Sequence, residues 1–116
     1  MQLIKGTITF TEETPPFTGA TIYVRLENVS DADAGSKVVG AYVQREVTFD
    51  PETARDLSFS IAGDPPDPRA SYVVRVHVDL DGDGEVTRGD LISVQSYPVI
   101  TFGHPTEVSI TVRQVN

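Results

Sequence analysis

The sequence contains no cysteine and no tryptophan, and the first absence excludes several kinds of chemistry at once. Disulfide bonds, thiolate-ligated zinc sites and cysteine nucleophiles all require a thiol. The sequence also has no Gly-x-Ser-x-Gly elbow and no other nucleophile signature. We therefore expect a protein that is not an enzyme.

Basic residues are also few, with 9 lysines and arginines against 17 aspartates and glutamates. The formal net charge of −8 argues against nucleic acid as a partner, because phosphates need a basic surface. It argues equally against an anionic membrane surface. No stretch approaches the roughly 18 apolar residues that suggest a transmembrane helix, so no transmembrane segment is expected. The opening residues are too few and too polar for a signal peptide, which predicts a cytoplasmic location if the chain is complete as given.

Helical periodicity is nearly missing, and an alternation with period two takes its place. The clearest example is Val74, Val76 and Val78, with Arg75 and His77 between them. Short segments of this kind recur along the chain with glycine- and proline-rich turns between them. The sequence predicts a single all-β domain over residues 1–116, folded as a β-sandwich of seven to eight strands.

The third apolar segment is long, and its alternation is broken once. Arg45 occupies a position at which another apolar residue would continue the pattern. We expect a β-bulge, or a strand that switches sheets, at this point. The apolar residues that share one parity, and so one face, are Val39, Ala41, Val43, Val47 and Phe49.

Between the fifth and sixth predicted strands lies the segment with the clearest chemical signature, DLDGDGEVTRGD at residues 79–90. A calcium loop of this length supplies oxygen ligands from alternate positions and has a glycine at its sharp turn. Gly84 stands where that glycine is needed. The predicted ligands are the carboxylates of Asp79, Asp81 and Asp83, the backbone carbonyl of Glu85, the hydroxyl of Thr87 directly or through water, and the carboxylate of Asp90.

This segment differs from a helix–loop–helix calcium motif in two ways. Its last ligand is Asp90 rather than a glutamate, and it joins strands rather than helices. Five carboxylates and one guanidinium give residues 79–90 a net charge of −4, so their mutual repulsion favours a bound cation. We predict a structural Ca²⁺ that holds the fifth and sixth strands in register, and Mg²⁺ suits the loop less because it retains its waters. The alternative is an acidic Asp-Gly turn that binds no ion.

Five segments of the chain resemble the YbaY-like lipoproteins, which are grouped with the YscW-type lipoprotein chaperones, or pilotins, of type III secretion. The similarity covers nearly the whole chain and includes no catalytic signature. The segments are GTITF at residues 6–10, GATIYVRLENVS at 19–30, ADA at 32–34, YVVRVHVD at 72–79 and QSYPV at 95–99.

The resemblance implies a transthyretin-like or immunoglobulin-like β-sandwich without enzymatic activity. It implies a place in the bacterial envelope if an export signal was removed, although this sequence contains no lipobox cysteine. Pilotins of this group escort a secretin subunit to the outer membrane. The first functional hypothesis is therefore a chaperone-like module for envelope assembly that binds another protein through a sheet edge or face.

A second hypothesis is a calcium-dependent carbohydrate-binding module. It predicts either coplanar, exposed tyrosines on one sheet face or a sugar hydroxyl that completes the ligand shell of the ion. The candidate tyrosines are Tyr23, Tyr42, Tyr72 and Tyr97.

The two histidines have no further ligands near them in sequence that would complete a zinc site. We expect His77 to be a solvated strand residue and His104 to be a turn residue.

Overall fold

The computed structural model describes residues 1–30, 35–52, 56–82 and 84–115. Within these residues the secondary structure consists of eight strands, with no helix. The strands are β1 (Gln2–Phe10), β2 (Phe17–Asn28), β3 (Lys37–Phe49), β4 (Leu57–Ala62), β5 (Tyr72–Asp79), β6 (Leu91–Ser93), β7 (Pro98–Val99) and β8 (Glu107–Gln114). In the part of the chain described, no helix has the length and hydrophobicity needed to cross a membrane.

All eight strands belong to one sheet with the order β3-β2-β5-β6-β8-β1-β4, and β7 also pairs with β5. The β1–β8 pair is parallel and the other pairs are antiparallel. The two end strands approach each other, since a Cβ added to Gly40 of β3 would lie 2.6 Å from a methyl group of Ile61 in β4. The sheet is thus nearly closed and barrel-like. The prediction of an all-β fold is confirmed, whereas the transthyretin-like or immunoglobulin-like sandwich type is not, because these strands form one continuous sheet.

The core fills the inside of this curved sheet, and β5 lies at its centre. Every residue of β5 except Arg75 is buried, because its inner face contacts the core and its outer face is covered by loops. The alternating valines Val74, Val76 and Val78 face the core as the sequence predicts, and each is at most 3% exposed. On β1, Ile4 and Ile8 are each 1% exposed. Burial of such side chains contributes about 1.5–3 kcal/mol each, so the alternating pattern is the main source of stability.

The third strand contains the predicted bulge. Ala20 pairs with Val47 and Ile22 pairs with Gln44, so β3 has one more residue than β2 in this stretch. The extra residue is accommodated at Glu46, whose φ is 56°. A bulge changes which face each side chain occupies on the two sides of it.

The shared face inferred for the apolar residues of this strand is therefore wrong. Val47 and Phe49, beyond the bulge, are buried, but Val39 and Val43 are 37% and 47% exposed. The inward positions of that half of β3 are taken instead by Gly40 and Tyr42, which pair with core-facing residues of β2. As a result, the first half of β3 presents valines to solvent.

A sixth strand running from about residue 91 to residue 99 is also predicted, and the structure divides it in two. β6 ends at Ser93 because the Ser93 hydroxyl, rather than a backbone carbonyl, accepts the N–H of Val76 at 3.0 Å. The chain then leaves β5 and returns at Tyr97, whose carbonyl accepts the N–H of Val74 at 3.1 Å. Residues 94–96 therefore bulge away from the sheet and form a rim above its outer face.

Gly6 provides a test of how closely the strands of the sheet pack. It lies where β1, β4 and β8 meet, paired with Phe59 on one side and Val108 on the other. A Cβ at this position would collide with the carbonyl oxygen of Val108 and lie 2.7 Å from the Phe59 ring. We expect Gly6→Ala to lower the free energy of unfolding by about 2–3 kcal/mol, as overpacked cores do. Urea denaturation measures this loss, and the exposed Ser58→Ala on neighbouring β4 serves as the control; equal stability of both variants would contradict the close approach.

Candidate functional site

The acidic loop between β5 and β6 lies at one end of the sheet, and its predicted ligands are unequally buried. Asp79 and Asp90 are 2% and 1% exposed, because they sit where the loop leaves and rejoins the strands. Thr87 is half-buried, and Asp81 and Glu85 are exposed. Asp83, the remaining predicted ligand, lies outside the described residues.

The Asp79 carboxylate holds the turn that follows β5. Its Oδ1 accepts the N–H of Gly82 at 3.0 Å, and its Oδ2 accepts the N–H of Gly84 at 2.8 Å. Both glycines have φ values near the left-handed region, 77° and 75°, which other residues rarely adopt. The sequence folds this way because the aspartate satisfies N–H groups that the tight turn removes from the sheet ladder.

The Asp90 carboxylate connects the two ends of the loop. Its Oδ1 accepts the N–H of Leu80 at 2.9 Å, and its Oδ2 accepts the N–H of Thr87 at 3.3 Å. The backbone of the same residue continues the connection, since its carbonyl accepts the N–H of Val115 at 2.7 Å. One buried residue thus joins the exit from β5 and the middle of the loop through its side chain, and the C-terminal segment through its backbone.

His77 has a different environment from the one expected. It is 8% exposed rather than solvated, so that expectation is wrong. Its Nε2 lies 2.8 Å from Asp90 Oδ2, and its ring stacks on Tyr23 with the ring centroids 5.8 Å apart. The loop folds back across the outer face of β5 and covers the imidazole. The sequence does contain a signal for the position of His77 beside the acidic loop. His77 and Asp79 are two residues apart, so their side chains lie on the same side of the strand.

The oxygen atoms of the loop converge. Ligand atoms of His77, Asp79 and Asp90 all lie within 4.8 Å of one another. The Thr87 hydroxyl donates to Asp81 Oδ2 at 2.7 Å and lies 3.4 Å from Asp90 Oδ2. A donor set of carboxylates and a hydroxyl fits a hard cation such as Ca²⁺, whereas the nearby imidazole is engaged by Asp90.

A second feature, which the sequence analysis did not identify, is a groove of about 410 Å³ on the outer face of the sheet. Its floor is formed by outward-facing residues of β2 and β5, among them Arg25 and Arg75. Around this floor the lining includes apolar Val86 of the acidic loop, Ile92 and Val94, together with polar residues of the segment 93–96. Its size and mixture of apolar walls with a few polar groups are those of a binding site. We call this feature the outer groove.

Two of the four tyrosines are unavailable for the platform that the carbohydrate hypothesis predicts. Tyr72 is buried, and its hydroxyl accepts the N–H of Asp67 at 3.0 Å. Tyr97 is half-buried, and its hydroxyl accepts the N–H of Thr111 at 3.0 Å. His104 is exposed beside a turn, as expected.

Three comparisons place this structure among known proteins. A family model described as "Type III secretion system lipoprotein chaperone (YscW)" matches residues 1–112. No curated protein matches the chain. A solved structure described as an alternative pilotin from the type II secretion system of Vibrio cholerae is similar, with a TM-score of 0.76 and 24% sequence identity. The similarity covers 97% of this chain and 96% of that one, which shows that the two share a fold.

The role assigned to Asp90 predicts a large effect of its removal. Asp90→Ala leaves the N–H groups of Leu80 and Thr87 and the imidazole of His77 without their acceptor. Since each unsatisfied buried donor costs about 1–3 kcal/mol, we expect a loss of about 3 kcal/mol in the free energy of unfolding. Chemical denaturation measures the loss, with Asp64→Ala in an exposed loop as the control. A change below about 1 kcal/mol, the size of a single ordinary hydrogen bond, would contradict the role of this carboxylate.

Proposed function

This chain belongs to the YscW family of type III secretion system lipoprotein chaperones, and we propose that it is a non-enzymatic accessory protein that binds another component of a secretion system. The proposed partner is an outer-membrane secretin subunit, and the proposed location is the cell envelope. The family description supports a protein partner. The similar structure is described as a pilotin, which supports the same kind of role.

The observation that carries this proposal is the edge strand β3. It has 13 residues and stands at one end of the strand order, paired with β2 alone among the described strands. The exposed fractions of Val38, Val39 and Val43 are 51%, 37% and 47%. Natural proteins protect long edges with charges, bulges or covering segments, because an open edge readily pairs with another chain. An open, apolar edge of this length supports binding by strand addition.

The distribution of charge along β3 supports the same conclusion. Lys37 stands at its first position and Arg45 near its bulge, but the residues between 38 and 44 carry no charge. The bulge at Glu46 lies beyond this uncharged stretch, and a second irregularity lies within it, because Leu26 pairs with Gly40 whereas Glu27 pairs with Val38. The protection that charged side chains give to an edge is thus absent from residues 38–44, and a bound partner strand would cover this stretch.

The proposed binding at the edge of β3 is tested by introducing charged residues there. We expect Val39→Lys combined with Val43→Lys to weaken binding to a purified secretin subunit from the same organism at least about tenfold, because a few central residues dominate interface energies. Both side chains are exposed, so the variant should fold normally. The control is Thr48→Lys, an exposed position on β3 beyond the bulge. Biolayer interferometry measures the affinities. Failure of the unmodified protein to bind any secretin subunit of that organism, or unchanged affinity of the double variant, would refute the proposal.

We also propose that the acidic loop binds a structural Ca²⁺ through Asp79, Asp81, Asp83, Glu85, Thr87 and Asp90. What supports this is the convergence of the Asp81 and Asp90 carboxylates on the Thr87 hydroxyl. When bound, the ion would supply positive charge to a segment whose net charge is −4. It would act on the fold, by holding the loop that connects β5 to β6, rather than on a reaction.

Calcium binding is tested by thermal unfolding. A ligand at one hundred times its Kd adds about 2.7 kcal/mol of stability, so millimolar Ca²⁺ should raise Tm by several degrees relative to excess chelator. Mg²⁺ should give a smaller shift. Asp81→Asn keeps an oxygen acceptor for Thr87 but removes one charge, and it should reduce the calcium shift by at least half. Asp64→Asn, in an exposed loop, should leave the shift unchanged. No shift in the unmodified protein would show that the segment is an acidic turn only.

A further inference from the structure

The outer face of the sheet is organised in three rows of side chains that run across the strands. Tyr23 of β2 stands opposite His77 of β5, with Val43 and Ile92 extending the row on either side. This row is aromatic and apolar, and it forms one border of the floor of the outer groove. The row therefore offers flat contact surface and little charge.

The middle row is charged, with Arg25 of β2 directly opposite Arg75 of β5. Like charges at directly opposite positions destabilise a sheet. On the β3 side, Arg25 stands opposite Ala41, whose small side chain leaves space above the guanidinium. A pair of this kind in a chain of net charge −8 is unfavourable for folding alone and indicates a role in binding.

The third row contains Glu27 of β2, which forms an ion pair with only one of the two arginines. Glu27 is buried, and its Oε1 lies 3.2 Å from Nε of Arg75. Arg25 is held differently, with its guanidinium carbon 5.7 Å from the centre of the Tyr23 ring. Within the described residues Arg25 has no ion pair of the kind that Arg75 makes. The guanidinium of Arg25 is thus positioned by an aromatic ring and retains its charge for a ligand.

The walls of the groove identify the kind of ligand. Val86 and Val94 both line the groove, and they are 54% and 53% exposed. A small inorganic anion would contact Arg25 but leave these apolar walls in water. An extended peptide would cover the walls with its own apolar side chains, and an acidic side chain between them would reach the guanidinium. Arginine and carboxylate form paired, charge-assisted hydrogen bonds, so this geometry also gives specificity.

We propose that the outer groove binds an extended segment of the protein partner in which an aspartate or glutamate, flanked by apolar residues, pairs with Arg25. This inference rests on the proposed function, because it names the chemistry of the partner segment, and it assigns that segment a site distinct from the edge of β3. The acidic remainder of the surface repels other acidic segments. A single acidic residue between apolar neighbours is therefore favoured over a run of acidic residues.

The proposal is tested by charge reversal in peptide selection. Random 12-residue peptides displayed on phage are selected on the unmodified protein, on Arg25→Glu and on Arg69→Glu, a control at an exposed arginine in a distant loop. The unmodified protein and Arg69→Glu should both select peptides with one aspartate or glutamate between apolar residues. Arg25→Glu should select lysine or arginine at that position, and a chosen acidic peptide should bind it at least about tenfold more weakly by fluorescence anisotropy.

Three outcomes would overturn the inference: no enriched peptide, enriched peptides without an acidic position, or the same acidic consensus on Arg25→Glu. Arg25 is exposed, so its variants should fold, and circular dichroism with thermal unfolding verifies this. Arg25→Gln, which removes the charge without reversing it, should bind the acidic peptide more weakly, and it should not select basic peptides. Measuring secretin binding distinguishes failure of this inference from failure of the proposed function. If a secretin subunit binds and its affinity is unchanged in Arg25→Glu, the proposed function stands and the inference that an acidic segment pairs with Arg25 is wrong.

Discussion

The buried carboxylate of Asp90 is the interaction on which the functional end of this structure depends. It accepts hydrogen bonds from the backbone of Leu80 and Thr87 and from the ring of His77. These bonds close the acidic loop over the outer face of β5 and bring Val86 to the rim of the outer groove. The shape of the groove therefore follows from the closure of the loop. An ion that orders the loop would also order one wall of the groove, which gives the proposed calcium a link to partner binding.

The nearly closed sheet explains why the binding surfaces lie where they do. β5 is bonded to β2 on one side and to β6 and β7 on the other, so the centre of the sheet is fully paired. The core is completed by side-chain contacts between the two end strands, without a backbone ladder between β3 and β4 among the described pairings. No backbone pairing is described on the outer edge of β3, although the end of β4 approaches this edge at Val39 and Gly40. The open edge and the outer groove thus flank β2 on its two sides.

Sequence patterns predicted the parts of this fold that depend on local alternation and missed those that depend on tertiary contacts. The alternating valines of β5 identified a central strand, and Arg45 correctly marked a bulge. The face of Val43 was misassigned because the added residue at Glu46 reverses the parity of residues 40–44. The burial of His77 was missed because a loop distant in sequence, through Asp90, covers it.

The candidate functional regions also include one that depends on local sequence and one that depends on tertiary contacts. The acidic loop is contiguous, so its residue spacing alone predicts an ion-binding segment, and ion binding stays a prediction. The outer groove is assembled from β2, β5, the acidic loop and the segment after β6. The opposition of Arg25 and Arg75 depends on the register between two strands that are 50 residues apart in sequence. No local pattern reports such a register, although the resemblance to the YscW family is confirmed by the family model over residues 1–112.

Hydrogen–deuterium exchange of the chain, alone and with a bound secretin subunit, tests the central claim most directly. The account predicts added protection in two places: the first half of β3, residues 37–43, and the floor of the outer groove on β2 and β5, residues 23–27 and 73–77. Residues 107–110 of β8, which pair with β1 and are separated from β3 by several strands in the strand order, should exchange at an unchanged rate. Protection confined to β4 and β1, with none on β3 or on the floor of the groove, would contradict the account.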